Sequence, residues 1–109
     1  MTINYYQRYK ISNQSLRVVA RLIALPDKVE ELKTLLLELI EPTRQEAGVV
    51  SYELLQNQSD PTDFTFVEEW TSAEALDTHL SSPHLQAALG KLEGLVAVAP
   101  DIRRYNLLA

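Results

Sequence analysis

The chain has no cysteine, which excludes disulfide bonds, thiolate metal sites and cysteine nucleophiles. It has no apolar run long enough to cross a membrane, and its N-terminus lacks the apolar core of a signal peptide. Basic residues are few and scattered, and the formal net charge is −5. Nucleic acids and membranes are therefore not expected as partners, and we expect a soluble, cytoplasmic protein.

The apolar content is sufficient for a single core, because 46 % of the 109 residues are hydrophobic. Residues 1–15 are polar but contain Tyr5, Tyr6 and Tyr9, whereas disordered tails are usually poor in aromatic residues. We expect residues 1–15 to form an N-terminal arm that packs on the protein or a neighbouring subunit, or a partly frayed tail. Residues 16–109 are expected to form the domain.

Alternation of apolar and polar residues predicts four strands, and in the third of them Phe66, Glu68 and Trp70 share one face. The first helix follows from apolar residues at helical spacing. Pro42 should kink it or begin a fresh turn, and Gly48 is its expected C-cap. The predicted strands span residues 16–25, 49–57, 64–70 and 101–108.

Two further helices are predicted from their start signals. Thr71 and Glu74 have the spacing of a capping box. Ser82 followed by Pro83 is typical of an N-cap and first helical position, and this last helix is predicted to continue to Gly94.

The resulting order, β-α-β-β-α-α-β, is that of the ferredoxin-like split βαβ arrangement. It predicts an α+β domain with a four-stranded antiparallel sheet and helices on one face. The strands carry apolar residues on both sides, as Tyr52 and Leu54 against Leu55 show. An apolar open face needs cover, so we expect a homodimer.

Both histidines and the only tryptophan lie between residues 64 and 84. Histidine has the unperturbed pKa nearest physiological pH, so His79 and His84 are candidates for pocket groups that move protons or donate hydrogen bonds. The alternative is that both are helix-end residues on a partly exposed surface. No third ligand occurs at a diagnostic spacing, so a metal site is not expected.

Glu68 lies between two aromatic residues on one strand face, where a charge is costly unless it is paired. Either Arg21, Arg44 or another cation forms a structural ion pair with it, or it is a pocket carboxylate with a raised pKa. Trp70 is either a core residue or a surface on which a planar substrate stacks. Tyr52 is a candidate for binding a phenolate or an oxyanion.

Three segments together resemble the antibiotic-biosynthesis-monooxygenase domain of the dimeric α+β barrel superfamily. Residues 43–48 (TRQEAG) followed by Tyr52 resemble its "T-R-x-E-x-G, then Tyr". Residues 68–70 (EEW) contain its "E-x-W". Residues 70–84 resemble "W-x-S-x-E-A-L-x-x-H-x-x-S-x-H", and the likeness spans roughly residues 16–108.

The resemblance implies a sheet that pairs with a second copy to form a dimeric α+β barrel, and a small-molecule substrate. The family includes cofactor-free oxygenases, haem-degrading enzymes and an isomerase. Haem-degrading members resemble the pattern "F-x-x-A-H", whose histidine ligates iron, but Leu89 stands at that place here, so we expect no haem. The sequence has no nucleotide-binding loop, cysteine or flavin signature, so we expect no other cofactor.

We therefore predict a cofactor-independent monooxygenase acting on a small planar phenol or quinol. The alternatives are a non-oxidative isomerase using the same pocket and a non-catalytic ligand-binding dimer. The predicted catalytic residues are His79 and Glu68. The predicted substrate-binding residues are Trp70, Tyr52, His84 and Arg44.

Overall fold

The computed structural model describes residues 15–109, so the predicted arm and its tyrosines lie outside the described residues. Within that range, no helix is long and apolar enough to span a membrane. The eight elements are β1 (Leu16–Ile23), α1 (Val29–Leu37), α2 (Ile40–Arg44), β2 (Val49–Gln56), β3 (Asp63–Trp70), α3 (Ala73–Leu80), α4 (Pro83–Leu89) and β4 (Asp101–Tyr105).

The four strands form one antiparallel sheet in the order β2-β3-β1-β4. In the centre of the sheet, Ala20 of β1 lies between Phe66 of β3 and Ile102 of β4. This topology confirms the predicted ferredoxin-like α+β fold. The first predicted helix is divided into α1 and α2, and Pro42 is the third residue of α2, where a missing N–H costs no intrahelical hydrogen bond.

The inner face of the sheet carries the core, and β3 shows the predicted alternation. Phe64, Phe66 and Trp70 are buried on the face that the helices cover, together with Glu68. Burial of each large aromatic side chain stabilises the fold by roughly 1.5–3 kcal/mol. The cost of placing Glu68 among them is the first indication that this strand does more than fill the core.

The outer face of the sheet is only partly apolar. Leu55, Val67 and Tyr105 are exposed there, but they alternate with ion pairs such as Arg17 with Glu69, whose nitrogen and oxygen atoms are 3.2 Å apart. The prediction of an apolar face is therefore met in part, and the pairing with a second copy remains a prediction.

Two helix boundaries differ from those predicted. Ser72, not Thr71, is the N-cap of α3, and its hydroxyl accepts a hydrogen bond from the Ala75 amide at 3.1 Å. Ser82 caps α4 as predicted. However, α4 ends at Leu89 and does not reach Gly94. Beyond Leu89 the backbone hydrogen bonds tighten to i→i−3, from Lys91 to Ala88 and from Leu92 to Leu89, and Gly94, with a φ of 83°, lies in the turn that follows.

Gly48 is not the C-cap of the preceding helix, as was predicted, because α2 ends at Arg44, four residues before it. A Cβ atom at this position would overlap the Cβ of Ala75 on α3. The glycine therefore lets the loop between α2 and β2 approach α3 closely.

We predict that Gly48→Ala lowers the free energy of unfolding by roughly 1–3 kcal/mol, because α3 must move away from the loop. Urea unfolding followed by circular dichroism measures this. Gly90→Ala is the matched control, because its new Cβ would meet nothing closer than 3.5 Å, and its stability should equal that of the wild type or slightly exceed it. Equal stability of the two variants would contradict this packing.

Candidate active site

A cavity of about 130 Å³ lies between the inner face of the sheet and the helices. Most of its wall is aliphatic, supplied by β1, α1, α3 and α4. Tyr52 from β2, Glu68 from β3 and His79 from α3 line the same cavity. These three predicted residues come from different parts of the chain, so their convergence gives the cavity the polar groups that a reaction site needs.

Glu68 is a buried carboxyl group whose side chain is held by a neighbour on its own strand. Its Oε1 accepts a hydrogen bond from Nε1 of Trp70 at 2.8 Å. Burial raises the pKa of Glu68 to about 7; the Trp70 hydrogen bond opposes this rise, and the Glu46 charge adds to it. Of the two alternatives for Glu68, the structure agrees with the pocket carboxylate.

The cations considered as partners of Glu68 are engaged elsewhere. Arg21 pairs with Asp63 at 2.9 Å. Arg44 donates from Nη2 and Nε to the backbone carbonyl of Tyr52 at 2.9 and 3.2 Å. No cation of residues 15–109 forms an ion pair with Glu68, so the described residues give no support to the structural ion pair. The exposed guanidinium of Arg44 fixes the corner between α2 and β2 and lies outside the cavity, and its predicted contact with substrate stays a prediction.

Trp70 is fully buried and does not line the cavity. Its ring lies against that of His79, with centroids 4.6 Å apart, while its N–H is used by Glu68. Within residues 15–109 the ring is packed as a core residue, which was the other alternative for Trp70, and stacking of a substrate on it stays a prediction. Its place behind Glu68 and His79 instead fixes the positions of both side chains.

His79 forms a carboxylate–imidazole pair that the sequence pattern did not predict. Its Nδ1 lies 2.7 Å from Oε2 of Glu46, a residue of the loop between α2 and β2 that is 33 positions earlier in the chain. An ionised carboxylate only accepts hydrogen bonds, so Nδ1 carries the proton. Nε2 has no hydrogen-bond partner within residues 15–109 and is left as the basic nitrogen of the ring.

The protonation state of His79 suits a base. Burial lowers the pKa of His79 below its ordinary value, although the hydrogen bond and charge of Glu46 act in the opposite direction. The side chain is only 3 % exposed. The neutral ring is thus favoured near pH 7, ready to accept a proton at Nε2.

His84 approaches the same carboxylate from the first turn of α4. Its Nε2 lies 2.8 Å from Oε2 of Glu46 and 3.2 Å from the Ser82 hydroxyl. It does not line the main cavity, and its predicted contact with a substrate stays a prediction. It lines a second cavity of about 180 Å³ on the other side of α4.

Tyr52 packs against Phe66, with ring centroids 4.9 Å apart, and meets His79 edge-on at 5.6 Å. Burial raises the pKa of the Tyr52 phenol above its ordinary value, and the nearby Glu68 charge adds to the rise. The phenol therefore stays protonated. The Thr43 hydroxyl acts on this pKa in the opposite direction, and the protonated phenol can donate a hydrogen bond.

Sequence reasoning missed two residues of this region, Glu46 and Arg104. Glu46 is part of the TRQEAG segment, but its partners are distant in sequence, so only the tertiary fold shows its contacts. Arg104 lines the cavity from β4 and is the one cation that residues 15–109 contribute to its wall, with a 3.4 Å contact to Asp77. The register of β4 against β1, which places Arg104 opposite Val18 on the inner face, could not be read from the sequence.

Comparison with known proteins places this architecture in a family. The sequence matches the family described as antibiotic biosynthesis monooxygenase over residues 15–91. A protein of Mycobacterium tuberculosis named "Putative monooxygenase Rv0793" is 38 % identical over 78 residues, which cover 69 % of this chain and 76 % of that protein. The uncharacterized protein sll1783 of Synechocystis is 34 % identical over 82 residues. That match covers 75 % of this chain but 56 % of the relative, so this chain spans little more than half of its length.

Solved structures agree with the sequence comparison. The structure of Rv0793 has a TM-score of 0.83 at 29 % identity and covers 87 % of this chain and 96 % of its own. A conserved protein from Methanosarcina mazei has a TM-score of 0.86 at 32 % identity, covering 92 % of this chain and 99 % of that one. From the sequence match and these folds together, the chain belongs to the antibiotic biosynthesis monooxygenase family.

Proposed function

We propose that this protein is a cofactor-independent monooxygenase whose substrate is a small planar phenol or quinol. The observation that carries the proposal is the His79–Glu46 pair in the wall of an apolar cavity that also contains Glu68 and Tyr52. Membership in the family supports a monooxygenase reaction. The chemistry of the cavity supports a substrate that must lose a proton before it reacts with oxygen.

The size of the cavity favours a single aromatic ring. A dry apolar cavity of about 150 Å³ is sufficient to hold benzene, and the cavity here measures about 130 Å³. Aliphatic side chains surround the ring on most sides, while Arg104 and the half-exposed Ile102 lie on the β4 side. We therefore propose single-ring phenols and quinols ahead of fused-ring compounds.

The first proposed step is ionisation of the bound phenol. Nε2 of His79 takes the hydroxyl proton, and Glu46 stabilises the resulting imidazolium through Nδ1–H. The phenolate is electron-rich and transfers electrons to dioxygen. Tyr52 donates a hydrogen bond to the oxygen on which negative charge develops, in a cavity from which water is largely excluded.

The overall reaction balances without another reductant. One oxygen atom of O₂ becomes bonded to a ring carbon, and two hydrogens of the substrate leave with the other oxygen atom as water. Glu68 is placed to return a proton to the departing oxygen, because a carboxyl group with a pKa of about 7 is partly protonated at neutral pH. His79 and Glu68 thus have complementary roles as base and acid.

Oxygen uptake by the purified protein tests the proposal. Single-ring quinols should give consumption above that of buffer, and the product should contain one atom from labelled dioxygen. Turnover with no oxygen consumption would support the isomerase alternative and contradict this proposal. Tight binding of quinols with no turnover would support the non-catalytic dimer and contradict it equally.

We also infer that two copies pair through the outer face of the sheet, as the sequence analysis predicts. Leu55, Val67 and Tyr105 expose apolar surface there, and burial of such a patch favours self-association. Light scattering should give twice the chain mass. Val67→Lys should shift the protein towards the monomer, and a wild-type monomer at micromolar concentration would contradict the inference.

The remaining assignments follow the sequence analysis. We propose that residues 16–109 form the catalytic domain, that residues 1–15 form an arm, and that the protein acts in the cytoplasm on a small molecule.

A further inference from the structure

We propose that Glu46, His79 and His84 form a binding site for one Zn²⁺-class divalent cation. The cation would occupy the place of the two protons that the imidazole rings share with Glu46. Oε2 of Glu46, Nδ1 of His79 and Nε2 of His84 all lie within 4.8 Å of one another. Two consecutive helices, α3 and α4, supply the histidines, and the loop between α2 and β2, more than 30 residues earlier, supplies the carboxylate.

An ion at this site requires movement of the Glu46 carboxylate and of one imidazole. Tetrahedral Zn²⁺ with bonds of about 2.0–2.1 Å places its ligand atoms about 3.4 Å apart. The oxygen of Glu46 now lies 2.7 and 2.8 Å from the two nitrogens. Binding therefore requires the carboxylate to withdraw by roughly 1 Å. It also requires the two ring nitrogens to come to this spacing from a separation of up to 4.8 Å, so the imidazole of His84, the more exposed of the two, must move with the carboxylate. Glu46 belongs to the loop between α2 and β2, where such a shift does not break a helix or strand.

The donor set and its access also suit Zn²⁺. Two imidazoles and one carboxylate are ligands that Zn²⁺ accepts, and three protein ligands leave a fourth position for water. The side chains of His84 and Glu46 are 24 % and 15 % exposed, so an ion and its water can reach two of the three ligands from solvent. The chain contains two histidines and no cysteine, so no competing nitrogen-and-sulfur site exists in the sequence.

Occupation of this site would change the chemistry of His79. A metal bound at Nδ1 leaves the remaining ring proton on Nε2, so the nitrogen that serves as the base becomes a hydrogen-bond donor. Zn²⁺ is therefore expected to inhibit the reaction. This consequence rests on the proposed function, whereas binding of the ion does not.

Titration calorimetry of the full chain, free of any polyhistidine tag, tests the site with Zn²⁺ at neutral pH. One ion should bind per chain, and Co²⁺ should give the visible absorption of a four-coordinate complex. His84→Asn and Glu46→Gln should each weaken binding at least about 10–100-fold. Glu53→Gln, which removes an exposed carboxylate on the outer face of the sheet, should bind as the wild type does.

The nitrogen chemical shifts of the two imidazoles provide a readout that needs no variant. Zn²⁺ should shift Nδ1 of His79 and Nε2 of His84 while the protein stays folded by circular dichroism. Absence of stoichiometric binding, or binding that survives both substitutions, would overturn the site. If Zn²⁺ binds at this site without inhibiting oxygen uptake, the proposed site stands and only the proposed effect of the ion on His79 is contradicted.

Discussion

Replacement of His79 by asparagine is expected to lower the rate of oxygen uptake by about 10²–10⁴-fold. The amide of asparagine can still donate a hydrogen bond to Glu46 from the position of Nδ1, but no basic nitrogen remains at the position of Nε2. The substitution thus preserves the contact that holds the loop to α3 and removes only the base. Initial rates with the quinol that the wild type turns over fastest measure the effect.

The control for this prediction is Thr78→Ala, the neighbouring exposed residue of α3, which should keep the wild-type rate. A second measurement uses His79→Ala with added imidazole, which can occupy the space left by the ring. Partial recovery of the rate would identify the missing group as a base. An asparagine variant that is folded and retains the wild-type rate would exclude His79 as the base.

The second large effect concerns Glu68 and the pH dependence of stability. The pKa of Glu68 is about 7 in the folded protein and near the ordinary 4.5 in the unfolded chain. The folded state therefore binds more protons between these values, and its stability falls as pH rises through this window. The shift of about 2.5 pKa units corresponds to a loss of about 3 kcal/mol between pH 4.5 and pH 7.

Glu68→Gln isolates this contribution, because its amide oxygen can still accept the hydrogen bond of Trp70 but has no proton to exchange. As pH rises towards 7, the unfolding free energy of the wild type should fall relative to that of the variant. Above pH 7 the difference between the two proteins should become constant. Titration of His79 makes the unfolding free energy rise with pH, because burial lowers its pKa. This contribution is common to both proteins and cancels in the difference. Urea unfolding at several pH values measures the difference, and a constant difference would contradict the raised pKa.

Local patterns in the sequence were sufficient for much of the fold. The alternation in β3 correctly placed Glu68 on the buried face, since pleating alone decides which side chains share a face. Ser82 with Pro83 correctly marked the start of α4, because capping is decided within one turn. The capping box at Thr71 was wrong by one residue, as two adjacent hydroxyl residues compete for the same position.

The site itself was predicted less completely, for a physical reason. Alternation along a strand shows which face of the sheet a side chain lies on, but not how deeply it is buried. The sequence therefore placed Trp70 on the same face as Glu68 without showing that its ring is fully buried. Arg44 was expected in the pocket, but a backbone carbonyl of Tyr52 satisfies its guanidinium. Glu46 meets His79 and His84 only through the tertiary approach of the α2–β2 loop to α3, which Gly48 permits.

The most direct test of the account is a single-turnover reaction of the wild-type protein with a single-ring quinol under isotopically labelled dioxygen. The account predicts that the product carries one labelled oxygen atom, that the other atom appears in water, and that His79→Asn forms the same product at least about 100-fold more slowly. Unlabelled product, release of hydrogen peroxide in place of water, or an equal rate in the variant would contradict it.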